Sequence, residues 1–306
     1  MAQTVIVSGA TGFIGRMLCR VLTARGYAVV ALSRNPATAS VAWEDGVTVV
    51  GWDARSTAGW SQYAEGARGI INLTGENIAE GRWTQAQKEK ILQSRLDAGK
   101  AIVAAVEQAH HKPRVVIQAS GIGYYGNRGD EVVNENSLPG SGFLADVAKQ
   151  WEASTKIVAD QGVRHVIIRT GIVLGRDGGF LSRVMLPFRL FMGGHMGNGQ
   201  QWLSWIHIKD EVEAVCFLLE QERLEGPFNL CAPHPLRARD FFRAVGSAMG
   251  RPSWLSVPSF VLRIMFGQMA EELILAGQRV QPKRLLEAGF RFNFPDTEMA
   301  LRDIVG

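Results

Sequence analysis

Hydrophobic positions along the chain change period several times, and the changes outline alternating elements. Thr4-Val5-Ile6-Val7-Ser8 is a short continuous apolar run, the pattern of a strand buried on both faces. It opens into Gly9-Ala10-Thr11-Gly12-Phe13-Ile14-Gly15, after which Arg16 to Arg25 sets Met17, Leu18, Val21 and Leu22 at helical spacing. Tyr27 to Leu32, Val47 to Trp52 and Gly69 to Leu73 repeat the strand pattern. A long polar stretch from about Thr84 to Ala109 carries Ile91, Leu92, Leu96, Ile102, Val103 and Val106, predicting one helix. Arg114 to Gln118 and Val163 to Thr170 predict a fifth and a sixth strand, with a helix between them near Ala145 to Asp160.

Continuous apolar strands separated by helices imply a parallel sheet covered on both faces. Right-handed crossovers then make it doubly wound. The reading is an α/β chain whose residues 1–174 form a Rossmann-type dinucleotide-binding domain. From about Gly175 the rhythm loosens, and 175–306 is expected to form a smaller substrate lobe, interleaved with the last strands of the sheet. Trp254 to Met269 is the most apolar later stretch; Pro258, Arg263 and Gly267 interrupt it. It is too short to span a bilayer and reads as an amphipathic helix.

The glycine turn carries the first chemistry. Gly9 permits the tight turn, Gly12 lets the backbone approach a pyrophosphate, and Gly15 lets the helix pack closely on the strand. Thr11, Phe13 and Ile14 then surround an anion met by the free N–H groups of the helix start. Leu32-Ser33-Arg34 ends the second strand, where an acidic residue would bind both ribose hydroxyls of NAD. Arg34 instead suits the 2′-phosphate of NADP, with Ser33 adding a hydroxyl, unless Arg34 is only a solvated loop residue. Asp53 follows the third strand as a partner for the adenine amino group or as a plain surface aspartate. Asn72-Leu73-Thr74-Gly75 follows the fourth, where glycine allows close approach to the cofactor ribose, or where Asn72 pins a turn.

Composition narrows the partners. The 306 residues are 46% hydrophobic and 20% charged, which allows a substantial core, and the net charge is +4. Basic residues are scattered rather than striped, which excludes a nucleic-acid surface and still suits an anionic cofactor. Cys19, Cys216 and Cys231 match no metal or disulfide spacing and read as reduced core thiols of a cytoplasmic protein. The first strand begins almost at once, leaving no room for a signal peptide. Neither a metal nor a membrane partner is expected.

Several segments carry a resemblance. The glycine turn, Asn72 to Gly75, and Gly197-Asn198-Gly199-Gln200-Gln201-Trp202-Leu203-Ser204-Trp205-Ile206-His207-Ile208-Lys209-Asp210 resemble the extended short-chain dehydrogenase/reductase superfamily. More narrowly, Gly75-Glu76-Asn77-Ile78, Arg82-Trp83-Thr84, Ser94-Arg95, Gly123-Tyr124-Tyr125-Gly126 and Pro282-Lys283-Arg284-Leu285 through Gly289-Phe290 resemble its atypical "epimerase family" members. The resemblance covers essentially the whole chain and implies a Rossmann fold and a nicotinamide cofactor. Arg169 resembles a position lining the cofactor site.

The superfamily's catalytic set is not intact. That set is a serine after the fifth strand and Tyr-x-x-x-Lys on the next helix, the tyrosine being the acid and the lysine lowering its pKa. Aligned on Tyr125-Gly126, Gly121 stands at the serine position, with Ser120 one residue early. Lys149 is the sole lysine between Phe143 and Glu152, and Ala145 lies four residues before it; aligned on Glu152, the paired positions are Leu144 and Ala148. Replacement candidates are Tyr124 or Tyr125 just past the fifth strand, each equally readable as interface packing. Ser120 orients substrate, bonds the cofactor or caps a strand, and Lys149 faces solvent or cofactor. Glu76 is a candidate acid or base near the nicotinamide or a plain surface residue, and Arg82 with Trp83 suits an anionic or planar substrate or packs a helix entry. His207 reads as a core residue, Asp210 as the cap of the next helix, and His110 and His111 as helix-end residues.

Three readings follow. The leading one is an NADP-dependent oxidoreductase of a small polar or nucleotide-linked carbonyl or alcohol. A second is an epimerase that oxidises and re-reduces one carbon, and a third is a non-catalytic NADP-binding sensor or scaffold. The oligomeric state stays open between monomer and homodimer.

Overall fold

Seven parallel strands form the central sheet of the computed structural model, which describes residues 2–40, 43 and 46–306. They are β1 (Thr4–Ser8), β2 (Ala28–Ser33), β3 (Val47–Gly51), β4 (Gly69–Asn72), β5 (Val115–Gly121), β6 (Arg164–Thr170) and β7 (Gly226–Leu230). Their order is β7-β6-β5-β4-β1-β2-β3, so the chain winds outward from β1 to one edge and returns through β4 toward the other. The reversal between β1 and β4 is the crevice where ligands of such sheets bind. The strand at the β6 edge comes from beyond residue 174, inside the stretch read as the second lobe.

Side-chain alternation assigns the two faces. Val5 and Val7 pack with Leu18 and Leu22 of α1 (Phe13–Ala24), while Ile6 packs with Ile102 and Val106 of α2 (Gln85–Gln108). Thr84 starts α2 as the periodicity predicts, its hydroxyl accepting the Gln87 N–H at 3.2 Å. The helix expected near Ala145 to Asp160 is two pieces: α3 (Phe143–Ala153), then a 3-10 turn over Lys156–Gln161. Thr155 causes the break. Its buried hydroxyl lies 3.2 Å from Gln118 Oε1 and 2.9 Å from His165 Nε2, which draws the chain off the helical path.

The smaller lobe packs α4 (Gly179–Arg189), α6 (Ala238–Met249) and α8 (Thr297–Val305) around Leu181, Phe188, Phe241, Phe242 and Leu301. Helix α5 (Ile208–Glu220) lies instead against the sheet beside α1, burying Val212, Val215 and Leu219. The single helix expected from Trp254 to Met269 is a strand, Leu255–Val257, followed by the shorter α7 (Ser259–Phe266). Pro258 disfavours helix for the residue before it, and Gly267 at φ +59° ends the helix. Among the described residues no helix is long and apolar enough to cross a membrane.

The end of the chain straps both parts together. Arg279–Val280 pairs in parallel with Val132–Val133. Asp210, fully buried, accepts the backbone N–H groups of Asn293 and Phe294, each at 2.8 Å. It anchors this strap rather than capping α5. The cap is His207, whose Nδ1 accepts the Lys209 N–H at 3.1 Å.

Candidate functional site

Strand β1 delivers the chain to the crevice, and Gly9 turns it at φ +69°. A Cβ on Gly9 would stand 2.8 Å from the Leu73 carbonyl oxygen, and one on Gly15 2.3 Å from the Gly9 carbonyl oxygen. The turn closes only without those side chains. Gly12 is the N-cap of α1 and supplies no side-chain hydrogen bond. The N–H groups of Phe13, Ile14 and Gly15 are therefore left for an external acceptor. The Phe13 ring is clasped from the lobe by Gly175, Gly178 and Gly179, where a Cβ would come within 2.6, 2.8 and 3.0 Å of it.

Beside the turn a cavity of about 280 Å³ is lined by Thr11, Arg16, Ser33, Arg34, Asn35, Thr38, Ala39 and Trp43. Among the described residues it holds two guanidiniums and no carboxylate. Ser33 Oγ accepts the Asn35 N–H at 3.2 Å, and the Trp43 indole N–H is buried with no partner among the described residues. Two cations, several hydroxyls and an orphaned donor at the end of β2 fit a phosphorylated ribose. Arg16, Asn35, Thr38 and Trp43 are additions to the sequence reading. Arg16 was legible in principle, since it directly follows Gly15. Asp53 lies beyond β3, its Oδ1 accepting the N–H groups of Arg55 and Ser56 at 2.8 Å. Those bonds, that to Ser56 foremost, hold its carboxyl below the usual range. A wider groove of about 450 Å³ lies between α1, α5 and Asn293–Phe294, on the helix layer rather than at the strand ends.

After β4 the backbone is braced from below. Asn72 Oδ1 accepts the Ser8 hydroxyl at 2.7 Å, and its Nδ2 donates to Gln118 Oε1 at 2.9 Å, tying three neighbouring strands. The same Oδ1 lies 3.2 Å from the Thr74 N–H, so Asn72 also pins the turn. A Cβ on Gly75 would meet the Arg95 guanidinium carbon at 2.8 Å. Arg95 reaches there from α2, donates to the Glu76 and Ile91 carbonyls at 3.0 and 2.8 Å, and lies 4.6 Å from the Trp151 ring. No carboxylate pairs with it among the described residues. Burial pulls its pKa down to about 10, against the opposing charge of Glu76, so it stays a cation at neutral pH. Its Nε and the Thr74 hydroxyl are buried without partners among the described residues. The segment Leu73-Thr74-Gly75 thus forms a floor with a positive charge beneath it.

Across β5 and β6 the candidates for catalysis fall into different environments. Ser120 Oγ donates to Glu152 Oε1 at 2.7 Å. The same carboxylate takes Arg169 Nε at 2.8 Å and Nη2 at 2.9 Å, a buried bidentate pair. Burial alone would lower the Arg169 pKa, but Glu152 outweighs it and raises it. Arg169 Nη1 donates to the Tyr125 hydroxyl at 3.1 Å, which in turn donates to Asn229 Oδ1 at 2.7 Å. Tyr125 is 0% exposed, and burial pushes its hydroxyl up to about 12 despite Arg169. Ser120, Glu152, Arg169, Tyr125 and Asn229 therefore make one buried network in which both hydroxyls and the carboxylate are already bonded.

Tyr124 is the exception. Its ring lies 3.5 Å from the Arg169 guanidinium carbon, and its hydroxyl has no partner among the described residues. Leu144, beside which a Cβ on Gly123 would lie at 3.2 Å, and the buried Ala148 stand where Tyr-x-x-x-Lys would be if Glu152 sets the alignment. Lys149 is elsewhere, pairing with Asp146 at 2.6 Å on the outer face of α3. Trp83 is buried against Phe143 with its N–H on the Ile78 carbonyl at 2.8 Å, so it packs the helix entry, while Arg82 stays exposed. His207 is a core residue stacked 4.0 Å from Phe294, and burial lowers its pKa against the pull of Asp303.

One buried acid lay outside the sequence reading. Thr170, at the end of β6 opposite Gly121, donates through Oγ1 to Glu211 Oε1 at 2.8 Å. Glu211 Oε2 is buried with no partner among the described residues. Burial pushes this carboxyl up to about 8, the Thr170 bond opposing only part of that. Its position in the first turn of α5 resembles an ordinary helix-start acid, which hides it in the sequence.

The chain is similar to known proteins along its whole length. The profile of the NAD dependent epimerase/dehydratase family matches residues 5–231, and that of a domain of unknown function (DUF1731) matches 257–304. The Arabidopsis thaliana protein named epimerase family protein SDR39U1 homolog, chloroplastic, is 37% identical, covering 99% of this chain and 87% of its own length. Epimerase family protein YfhF of Bacillus subtilis is 36% identical over 99% of this chain and 98% of its own. The crystal structure of human SDR39U1 (isoform 2) with NADPH superposes with a TM-score of 0.88 at 33% identity, covering 99% of each chain. A Thermus thermophilus UDP-glucose 4-epimerase in complex with NAD shares the fold at TM-score 0.80 and 19% identity, with 99% of this chain and 98% of that one covered.

Proposed function

The chain belongs to the NAD dependent epimerase/dehydratase family, and on that premise we propose an NADP(H)-linked oxidoreductase of a small polar or nucleotide-linked carbonyl or alcohol. The observation that carries the cofactor choice is the cavity holding Arg16 and Arg34, with no acid on its walls among the described residues. An arginine pair there favours a 2′-phosphate over the bare ribose hydroxyls of NAD. The human relative, crystallised with NADPH, supports the same choice. Gly9, Gly12 and Gly15 would set the pyrophosphate against the start of α1. Leu73, Thr74 and Gly75 would carry the nicotinamide ribose, with the Arg95 charge beneath.

The nicotinamide, when bound, exchanges a hydride with the substrate. What the chain must add is a proton at the substrate oxygen. Tyr124, just past the end of the fifth strand, is the group placed for it, because its hydroxyl is uncommitted among the described residues and its ring rests on Arg169. Tyr125 and Glu152 hold Arg169 in that position.

Leu144 and Ala148 favour a second reading, a non-catalytic NADP(H) sensor, because two apolar residues replace the usual acid and its lysine. One experiment separates the readings. Titrate the purified protein with NADPH and NADH by fluorescence, then screen carbonyls for loss of nicotinamide absorbance. Tighter NADPH binding with turnover supports the oxidoreductase, and inversion without net consumption the epimerase reading. Tight binding with no turnover across the screen would establish the sensor. Equal or tighter NADH binding would sink the cofactor assignment.

A further inference from the structure

Fourteen large apolar side chains stand exposed among the described residues, and nine of them come from 186–192 and 254–265. The two runs lie side by side in the lobe. Leu255–Val257 pairs in parallel with Gly194–Met196, and the Trp254 indole N–H reaches the Phe191 carbonyl at 3.2 Å. Trp254 and Ile264 are each 70% exposed. In α7, Phe260 and Ile264 are one turn apart and share the outer face, while Leu262 is buried on the inner one. A helix apolar on both faces belongs inside something larger than this lobe. Exposed apolar residues gathered in this way mark an interaction surface, unlike the scattered singles of ordinary surfaces.

Charge identifies what covers it. Residues 179–196 and 250–266 contain Arg183, Arg189, Arg251 and Arg263 and no aspartate or glutamate. Arg263 pairs with Glu271 and Arg183 with the Ala79 carbonyl. Arg251 lies over the Phe191 ring at 4.5 Å, and Arg189 is exposed without a partner among the described residues. A second copy meeting this face about a twofold axis would set arginine against arginine. An anionic bilayer answers both features, taking aromatic and aliphatic side chains at the headgroup boundary and arginines against phosphate.

We propose that this face of the lobe docks the protein reversibly on an anionic lipid surface. Phe191, Trp254, Phe260 and Ile264 enter the boundary, and Arg189 and Arg251 contact the headgroups. The sequence alone suggests no membrane partner, because each apolar run is short and only the fold lays the two side by side. The proposal is independent of the cofactor reading.

Vesicle co-sedimentation tests it. With equal parts phosphatidylglycerol and phosphatidylcholine the protein sediments and is released by salt; with phosphatidylcholine alone it stays in solution. Arg189→Ala and Arg251→Ala each weaken binding about fivefold. Phe260→Ser with Ile264→Ser weakens it tenfold or more, with the thermal midpoint retained because both side chains are exposed. Leu138→Ser, exposed on another part of the chain, leaves binding unchanged. Failure to sediment with anionic vesicles overturns the proposal. So does a dimer in gel filtration that the Phe260→Ser and Ile264→Ser pair converts to monomer, since a second copy would then own the face.

Discussion

Glu211→Gln isolates the cost of a buried acid. The native carboxyl titrates near 8 and an unfolded glutamate near 4.5, so the native state holds the proton more tightly. For a carboxyl with a raised native pKa, the stabilisation is full below the unfolded value. It is lost as pH rises toward the folded value. Each pH unit in that window costs about 1.4 kcal/mol, so raising the pH from 5 to 7.5 removes roughly 3 kcal/mol. Glutamine keeps an acceptor for the Thr170 hydroxyl and carries no proton to lose. Urea unfolding of both proteins at several pH values gives the difference directly, because every other titrating group contributes the same slope to each. The variant should gain on the wild type steadily across the window and then hold level above pH 8. Parallel curves would refute the argument and mean that Glu211 is solvated or finds a partner for Oε2.

Arg34→Glu should weaken NADPH binding by about tenfold to a hundredfold while sparing NADH, and Arg16→Ala should act in the same direction, read by fluorescence titration. Gly15→Ala should abolish binding of either cofactor and lower the denaturant midpoint, since its methyl meets the Gly9 carbonyl; an overpacked site of this kind costs about 1–3 kcal/mol. Tyr124→Phe should lower kcat about a hundredfold or more with cofactor affinity unchanged. Tyr125→Phe, by contrast, should reduce stability by about 1–3 kcal/mol and leave the chemistry. Glu152→Gln, which leaves Arg169 buried without its counter-charge, should cost about 3–5 kcal/mol in chemical unfolding.

How far the fold can be read from local pattern depends on how local its causes are. Two-residue alternation splits Val5 and Val7 from Ile6, and the glycine spacing announces the turn, because both act within a few residues. The break at Ser154 and Thr155 is invisible there, since its cause is a hydroxyl reaching Gln118 and His165 on other strands. Tyr124 and Tyr125 look equivalent in sequence. A single 3-10 turn over Ile122–Tyr125 sends one hydroxyl into the core network and leaves the other without a partner among the described residues. Arg95 stands among polar helix residues and gives no sign that it passes under Gly75. Arg34 is the opposite case, a residue whose meaning follows from its distance past a glycine turn.

The strap at the end of the chain bears on the order in which the protein can be completed. Asp210 finds the N–H groups of Asn293 and Phe294 only 83 and 84 residues later. At a translation rate of 5–20 residues per second, that separation is on the order of 4–17 seconds of synthesis. Over that interval the six earlier strands are already made and β7 is added, yet α5 must either keep Asp210 hydrated or bury it without these partners. The nascent protein should therefore hold α5 loosely against the sheet, and settle it only once Asn293 and Phe294 have left the ribosome.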